Sequence, residues 1–514
     1  MYEKNTGKNK QIAINMVASV VSFTVGLCIN FFLTPYIVGS LGPAAYGFVG
    51  LSNNLISYTQ LFTIALNSMA SRFVTISYVQ GRIEDANKYF SSVFYANLIL
   101  SVFIIVIMGW CIFYLDMFFE VPLELIADVR LLLSLLVFNT ILGLMTNIFA
   151  VATFIKNRLE LASIRTIIGK IIQAISTILL FGLLLPQLWY IGLAGMFVTM
   201  YQAYTNYKFT QFLTPDLHVS TYYFDIDKIK ELLSSGIWNS FFKLGDILGQ
   251  GLDLIIANIF IGAVAMGVFS ITKSIPVLLI QLFGTIAATF APVFTSLYAK
   301  RNSSELVIEL NKSIRVLGIL SVLSLSTLFV FSEEFYDLWI PTQDAKFLAQ
   351  LTVLGCLVYV PALPLEPLWN IFTITNKLKY STIVLFITNI LIFLTVVISV
   401  CFIDAVEWKL LILASSRSIW GAVRTVVFLP FYGAYCLGVS AKPFVKNMLK
   451  SALCLILTCG VGLVIKYYID IYTWLSLFFS ACSLCIIGFV ICYIFVLTSD
   501  DKVYILKRIH NYFI

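Results

Sequence analysis

Charged side chains are scarce in this sequence. Only 11% of its 514 residues are Asp, Glu, Lys or Arg and 60% are apolar, whereas a soluble domain has about 25% charged and about 45–50% apolar residues. This shortage of charge excludes a water-soluble enzyme, a disordered chain and a nucleic-acid-binding protein. The two histidines, His218 and His510, leave almost nothing for histidine-based catalysis or a zinc site. The sequence therefore predicts a polytopic membrane protein with no catalytic residues, no metal site and no cofactor.

Other signals of enzymatic or pump activity are also missing. No GxxxxGK[ST] phosphate loop occurs, so the chain is not by itself an ATP-driven pump. No long hydrophilic segment interrupts the apolar runs, so no soluble domain is inserted between them. Nearly all of the ten cysteines lie in or beside apolar runs, where a thiol is usually a small hydrophobic group. Cys482 and Cys485 form a CxxC, but no histidine or charged ligand lies near them in the sequence.

Long apolar runs, by contrast, fill the chain. A transmembrane helix needs about 20 apolar residues. We predict fourteen spans, at residues 12–38, 46–79, 89–114, 129–153, 164–185, 190–212, 237–261, 266–298, 310–332, 347–374, 381–402, 409–432, 447–468 and 473–497. The first run is longer than the core of a signal peptide, which has about 7–15 residues. The second and eighth are too long for a simple crossing, so we expect them to tilt or to continue into the cytoplasm as helix.

Lysine and arginine are unevenly distributed between the connections. Most of the 33 lie in the N-terminal segment and in alternate connections after it, whereas the other connections carry acids such as Asp116, Glu120, Glu124 and Asp128. Cytoplasmic loops are enriched in lysine and arginine, so we predict that both termini are cytoplasmic. The net charge of +7 is therefore mainly a consequence of topology.

A weak internal repeat relates the two halves of the chain. Asn15 aligns with Asn239, and Gly47 aligns with Gly267, with a short outer loop in each copy. Repeated lobes are a common plan of transporters. We therefore divide the chain into an N-terminal lobe of six helices (1–213), a cytoplasmic amphipathic linker (214–236) on the inner membrane face, a C-terminal lobe of six helices (237–433), and two final helices with a tail (434–514).

The seventh predicted span carries a polar face. Lys243, Asp246 and Asp253 share this face with Asn239 and Gln250, within an arc of about 80° at about 100° per residue. Charges inside a membrane usually face a cavity or a partner, so the two aspartates are candidates for coupling or gating. The alternative is that Lys243 and Asp246 only neutralise each other, which leaves Asp253 unexplained. The matching face of the first span is polar but uncharged: Asn15, Ser19, Ser22, Gly26 and Asn30.

Further charges lie inside other spans. Arg417 and Arg424 are seven residues apart in the twelfth span, hence on one helix face, and are candidates for lining a cavity. Lys273, Lys170 and Arg72 are further cationic candidates, although a lysine or arginine near a span end also serves as an anchor in the headgroup region. Glu366 lies among Pro361, Pro364 and Pro367, and these prolines are expected to kink or break the tenth span. Glu366 then either binds a cation beside freed carbonyls or pairs with an arginine of the twelfth span.

Three short stretches resemble a known family. The run FFLTPYIVGSLG at residues 31–42, the pair Tyr46-Gly47 and the run NSMASR at residues 67–72 are similar to the bacterial polysaccharide flippases. These are the Wzx-type O-antigen and capsule exporters of the multidrug/oligosaccharidyl-lipid/polysaccharide (MOP) superfamily. The resemblance implies an all-α, two-lobed, V-shaped transporter. It also implies movement of undecaprenyl-diphosphate-linked oligosaccharide from the cytoplasmic to the periplasmic leaflet, and association with polysaccharide assembly proteins.

Two other functions remain open from the sequence. An ion-coupled multidrug or organic-cation antiporter of the same superfamily would use Asp246 and Asp253, with H⁺ or Na⁺ as the coupling ion. It would however need an acidic or aromatic cavity, whereas the intramembrane charges here are mostly cationic and suit a diphosphate. A membrane glycosyltransferase or polysaccharide polymerase is less favoured, because such enzymes usually carry a large outer loop with catalytic residues.

Overall fold

The fold was analysed in a computed structural model, which describes residues 2–156, 158–299, 302–375, 377–499 and 501–502. Every regular element in these ranges is a helix. The α-helices are α1 (Tyr2–Thr59), α2 (Leu61–Val79), α3 (Ile83–Phe113), α4 (Leu115–Phe118), α5 (Ile126–Asn147), α6 (Val151–Ile155), α7 (Leu159–Leu183), α8 (Tyr190–Leu213), α9 (Ile226–Phe260), α10 (Ala263–Ala288), α11 (Ala291–Ala299), α12 (Ser303–Trp339), α13 (Ala345–Cys356), α14 (Tyr359–Leu365), α15 (Leu368–Ile374), α16 (Leu378–Phe402), α17 (Val406–Val427), α18 (Leu429–Leu437), α19 (Lys442–Tyr468) and α20 (Trp474–Phe495). Short 3-10 helices cover Leu123–Leu125, Ile148–Ala150 and Thr221–Tyr223.

The helices confirm an all-α, multi-pass membrane protein. Among the described residues, ten segments are long and apolar enough to cross a membrane, or eleven if the bent pair α13–α14 is one span. Every predicted span overlaps a helix, but the count of fourteen is not confirmed. The segment Val21–Thr59 counts as one crossing where two were predicted, and α8 and α9 are not among the ten. The predicted crossing within α9 is the one that carries Lys243, Asp246 and Asp253.

The two longest predicted spans are interrupted instead of continuing as uniform helices. The second is divided at Gln60, between α1 and α2, and the eighth at Thr289 and Phe290, between α10 and α11. No proline lies at the break at Gln60, whereas Pro292 lies in the first turn of α11, directly after the second break. Within α1, the backbone turns at Gly42, whose φ of +83° is a left-handed conformation that glycine adopts without steric cost. This turn takes the place of the predicted loop between the first two spans.

The proline-rich tenth span is broken as predicted. It consists of α13, α14 and α15, and the axes of α13 and α14 differ by 48°. Glu366 lies between α14 and α15, where its backbone N–H donates to the carbonyl of Leu363 at a long 3.4 Å. The prolines lack the N–H that an uninterrupted helix needs, which explains why three short helices replace one long helix.

The first of two compact units comprises Met1–Gly267. Its core contains Leu66, Phe90 and Leu232, each at most 1% exposed. Helix α9 belongs to this unit and packs on α1, α2 and α3. The boundary between the predicted lobes differs from the boundary of this unit, because the seventh span was assigned to the second lobe. The division into lobes stays a prediction.

The predicted linker (214–236) is not a helix separate from the seventh predicted span, and its place on the inner membrane face stays a prediction. From Ile226 onward it is the beginning of α9, capped by Asp225, whose side chain accepts from the Asp227 N–H. Before α9, the linker is hydrogen-bonded to α3: Asn87 donates to the carbonyl of Asp216 at 2.9 Å and accepts from the His218 N–H at 2.9 Å. The apolar side chains of Ile229 and Leu232 are buried in the protein core, whereas those of Ile226 and Leu233 are exposed, so the protein itself covers only part of the apolar surface that suggested membrane contact.

Near the predicted outer side, the first unit shows close backbone packing between the aligned repeats. A Cβ on Gly47 would lie 2.7 Å from the Cα of Gly267, and these two glycines are equivalent in the internal repeat. The outer end of α9 is held by Asn258, which is fully buried. Its side chain accepts from the Glu120 N–H at 2.9 Å and donates to the Glu120 carbonyl at 3.1 Å.

The second unit comprises Val268–Ile514, and its central helix is α12. This helix packs against α13, α14, α19 and α20. Asn447 of α19 donates to Asn311 of α12 at 2.9 Å in a buried site. At the predicted inner end, Arg315 Nη2 donates to Asp501 at 3.1 Å. Burial acts to raise the pKa of Asp501, but hydrogen bonds from Arg315 and Thr498 outweigh it and lower that pKa.

The predicted topology can be tested with reporter fusions. Reporters at Asp128, Asp344 and Asp404 should read periplasmic, and those at Ser303 and the C-terminus should read cytoplasmic, because lysine and arginine concentrate on the latter side. The measurement is the ratio of the activities of a periplasm-dependent and a cytoplasm-dependent reporter at each site. One clear inversion would contradict the orientation and the two-lobe interpretation.

Candidate functional site

Two arginines lie on the side of α17 that faces the helices of its own unit. Arg417 and Arg424 are both half-buried and about 20° apart around the helix at about 100° per residue. On one side of them, Trp420 Nε1 donates to Thr395 Oγ1 of α16 at 2.9 Å. On the other side, a Cβ on Gly421 would lie 2.6 Å from the Cγ2 of Val358, which precedes α14. The arginines therefore lie between the contacts of α17 with its two neighbours.

The opposite side of α17 is apolar and exposed. Ile419, Val423, Val426 and Val427 are 60%, 46%, 40% and 64% exposed. Measured around the axis of α17 from Arg417 at 0°, these four residues occupy an arc of about 180–280°, whereas Arg424 lies at about 340°. In a membrane, this exposed apolar side suits the lipid, and the arginines point away from it. Snorkelling to the headgroups is also difficult for Arg424, because it lies near the middle of the apolar segment Val406–Leu437.

A break in the helix follows Arg424. Helix α17 ends at Val427 and α18 begins at Leu429, with Pro430 in its first turn. Arg424 lies in the last turn of α17, where unsatisfied carbonyl groups give the helix end a partial negative charge that favours a cation. The sequence therefore places a guanidinium group at an irregular point of the membrane-spanning chain.

The other predicted cationic residues lie on separate helices. Arg72 is exposed on α2 and Lys243 is exposed on α9, whereas Lys273 is half-buried on α10. Lys170 is half-buried on α7, and its Nζ donates to Gln173 at 3.2 Å. Of the six predicted cations, Arg417 and Arg424 share one helix face. That all six form a single binding site stays a prediction.

The predicted acids differ in how deeply they are buried. Asp253 of α9 is 2% exposed and lies within electrostatic range of Tyr58. Glu366 is half-buried at the break between α14 and α15. Asn30, from the matching face of the first span, is exposed on α1. The side chains of Asn15, Asn239, Asp246 and Gln250 lie outside the part that the structure describes, so these predictions stay open.

Beside Asp253, α9 approaches α1 so closely that only glycine fits. A Cβ on Gly251 would clash with the hydroxyl of Tyr58 and lie 3.0 Å from its Cζ. The Tyr58 hydroxyl is buried and has no hydrogen-bond partner among the described residues. Tyr58 and Gly251 therefore fix the distance between the segment that precedes Gln60 and the helix that carries Asp253.

We expect Gly251→Ala to destabilise the protein by about 1–3 kcal/mol, because the added methyl group overpacks this contact. The measurement is thermal unfolding of the purified protein in detergent. Gly109→Ala is the matched control, since Gly109 lies within α3 with nothing within 4 Å of its Cβ position. Tyr58→Phe combined with Gly251→Ala should recover part of the loss, because the hydroxyl group is removed. Equal stability of Gly251→Ala and wild type would contradict the close contact.

Several polar residues that the sequence reasoning did not select also lie inside the first unit. Asn67 and Asn97 form a reciprocal pair: Asn67 Nδ2 donates to Asn97 Oδ1 at 3.0 Å, and Asn97 Nδ2 donates to Asn67 Oδ1 at 3.1 Å. Gln60, Thr63 and Asn67 recur at helical spacing in an otherwise apolar span, which is a signal that the sequence does contain. On α7, Arg165 has buried Nε and Nη1 atoms that donate to no described residue.

Comparison with known proteins establishes the family. The family described as "Polysaccharide biosynthesis protein" matches residues 40–343 of the chain. The chain belongs to this family. It is also 28% identical over 501 residues to the "Uncharacterized membrane protein EpsK" of Bacillus subtilis (strain 168), covering 97% of this chain and 98% of that protein. These matches confirm the family resemblance seen in residues 31–72.

Solved structures of transporters share the fold. An inward-facing multidrug resistance MATE family transporter of the MOP superfamily matches with a TM-score of 0.68 and 16% identity, covering 82% of this chain and 98% of that chain. The "Lipid II flippase MurJ, inward closed conformation" matches with a TM-score of 0.65 and 13% identity, covering 94% and 99%. At these identities the likeness concerns the fold. The chain is therefore a member of the polysaccharide biosynthesis family that has the fold of these transporters.

Proposed function

We propose that this protein is a flippase that moves undecaprenyl-diphosphate-linked oligosaccharide from the cytoplasmic to the outer leaflet of the bacterial inner membrane by alternating access. Membership of the polysaccharide biosynthesis family and a fold shared with a lipid II flippase support a lipid-linked glycan as substrate. The observation that carries the proposal is the pair Arg417 and Arg424 on the inward side of α17, opposite its exposed apolar side.

Each part of the substrate has a chemically suitable counterpart. Two guanidinium groups suit a diphosphate, because each donates paired, charge-assisted hydrogen bonds in a planar fork. The lipid tail is compatible with the apolar exposed side chains of the transmembrane helices, since it stays in the bilayer during transport. We further propose H⁺ or Na⁺ as the coupling ion, cytoplasmic termini, and association with polysaccharide assembly proteins.

A second candidate, the ion-coupled organic-cation antiporter, is favoured by the buried carboxylate of Asp253. A buried carboxylate is able to bind a cationic substrate or to exchange a proton. The arginines argue against this candidate, because they would repel a cation. We therefore rank the flippase first.

Deletion of the gene separates the two candidates. For a flippase, a lipid-linked oligosaccharide should accumulate on the cytoplasmic leaflet, surface glycan should be lost, and a plasmid copy should restore both. Accumulation is measured by mass spectrometry of extracted lipids, and its leaflet by resistance to a periplasmic glycosidase. Changed drug sensitivity together with normal surface glycan would instead favour the antiporter.

A further inference from the structure

A partly open cavity of about 450 Å³ lies in the first unit. Such a volume falls in the range of about 300–1,000 Å³ that is usual for small-molecule sites. Its walls come from α1, α2, α3, α5 and the break at residue 60. The lining residues are Thr59, Gln60, Thr63, Ile64, Asn67, Ile104, Thr140, Gly143, Leu144 and Asn147. We refer to this cavity as the amide pocket.

The amide pocket is placed at the interruption of the second span. Gln60 lies near the middle of the predicted crossing 46–79, between the end of α1 and the start of α2. Asn147 ends α5, where a short 3-10 helix begins. Backbone irregularity at membrane depth is tolerated where it is buried in protein or lines a water-filled cavity. The two breaks therefore bring polar groups into a region that otherwise consists of apolar side chains.

The walls of the amide pocket are held by hydrogen bonds between helices. Besides its reciprocal pair with Asn67, Asn97 donates to the carbonyl of Leu144 on α5 at 3.1 Å. Asn97 is fully buried, and it connects α2, α3 and α5 at the level of the pocket. A buried network in which each member is satisfied rigidifies its surroundings. The pocket is thus pre-formed, which reduces the entropy that a ligand loses on binding.

Two amides of the pocket are available to a ligand. The side chains of Gln60 and Asn147 are both exposed and make no hydrogen bond to another residue within the described ranges. Each amide offers two donors and one acceptor oxygen. The hydroxyl groups of Thr59 and Thr140 donate to carbonyls of their own helices at 2.7 and 2.8 Å, and that of Thr63 donates to the carbonyl of Gln60 at 3.0 Å. Their oxygen lone pairs remain as acceptors.

The lining is polar but uncharged. Among the described residues that line the amide pocket, none is acidic, basic or aromatic. A phosphate or an organic cation would therefore be buried there without a counter-charge, which is costly. Sugar hydroxyl groups act as donor and acceptor at once, so they match amides and threonine oxygens. Ile64, Ile104 and Leu144 provide the apolar contacts for the C–H faces of a sugar ring.

We propose that the amide pocket binds a sugar residue of the lipid-linked substrate, with Gln60 and Asn147 as its principal hydrogen-bonding side chains. The proposal rests on the proposed flippase function and assigns the glycan to a site in the first unit. Selectivity for the glycan then arises in the amide pocket.

The test compares two lipids that differ only in the glycan. The probes are bare undecaprenyl diphosphate and the lipid-linked oligosaccharide extracted from the deletion strain. Binding to purified full-length protein is measured by native mass spectrometry. Gln60→Met and Asn147→Leu should each weaken binding of the glycan-bearing lipid by about tenfold, because hydrogen bonds to the sugar are lost. Binding of bare undecaprenyl diphosphate should be unchanged, whereas Arg424→Ala should weaken binding of both lipids.

Controls distinguish this proposal from the flippase function itself. Thr146→Val is the matched variant, because Thr146 neighbours Asn147, bonds to its own helix at 2.7 Å and does not line the pocket; it should bind both lipids normally. If Gln60→Met and Asn147→Leu bind both lipids as wild type does, or lose both equally, the sugar site is overturned while the flippase function stands. If the wild type binds neither lipid and the deletion strain accumulates none, the flippase function itself fails and the sugar site falls with it.

Discussion

Arg424→Ala is expected to abolish glycan export while the protein stays in the membrane at normal abundance. Arg424 is half-buried on the inward side of α17, in the helix turn before the break at Phe428. A charge-assisted hydrogen bond contributes about 1.5–3 kcal/mol, so loss of a bidentate contact with phosphate lowers affinity on the order of 100-fold. Export is measured as surface glycan per cell, and abundance by immunoblot of the membrane fraction.

Arg424→Lys separates the role of the charge from that of the guanidinium shape. Lysine keeps the positive charge but loses the planar pair of donors, so we expect partial export. Lys409→Ala is the control, because it removes a cation from the first turn of the same helix, away from the break. Full export by Arg424→Ala at normal abundance would assign the arginine a structural role instead.

The fold was largely predictable because membrane insertion imposes simple constraints on sequence. Apolar length predicted segments that all overlap helices, although the count of fourteen crossings is not confirmed, and the absence of backbone donors at Pro361, Pro364 and Pro367 predicted the broken tenth span. The break at Gln60 was not predicted, because glutamine carries no intrinsic helix-breaking chemistry. The break at Thr289 and Phe290 has a signal that the sequence reasoning did not use: Pro292, in the first turn of α11, has no N–H to donate to the carbonyl of Ala288, where α10 ends.

The path of the linker shows a limit of what periodicity predicts. Its apolar residues at helical spacing, such as Ile229 and Leu232, were interpreted as contacts with the membrane. In the structure these two are buried in the first unit, whereas Ile226 and Leu233 are exposed, and the chain before them is hydrogen-bonded to Asn87 and Ser91 of α3. These partners are more than a hundred residues apart in sequence. Periodicity predicts that a helix has an apolar side, but it does not distinguish lipid from protein as the surface that covers it.

Charge is the property by which the sequence analysis selected its candidate site residues. A charge inside a membrane is costly, so Arg417, Arg424 and Asp253 stand out in any reading of the spans. The amide pocket was missed because glutamine, asparagine and threonine cost less in a membrane and are common in transmembrane helices as local hydrogen-bonding groups. Only their convergence from three helices identifies them as a site.

Asp253 is the residue for which we predict a role in energy coupling. It is 2% exposed on α9, and the equivalent face of the first span carries no charge, so the internal repeat does not require it. A buried carboxylate is stable when it is paired with a cation, or when it binds a proton or a sodium ion. We expect one conformation of the transport cycle to hold the paired, ionised carboxylate and the other to hold the protonated or sodium-bound form.

Asp253→Asn should therefore slow export and weaken its dependence on the ion gradient without preventing substrate binding, because asparagine resembles the protonated carboxyl group but cannot change its charge. The measurement is the rate of glycan-lipid translocation in proteoliposomes under imposed H⁺ or Na⁺ gradients, with binding assayed separately. Asp227→Asn is the matched control, since Asp227 lies on the same helix in an exposed ion pair with Lys230. If Asp253→Asn keeps the full response to the gradient but lowers protein abundance, the carboxylate stabilises the packing of α9 and coupling resides elsewhere.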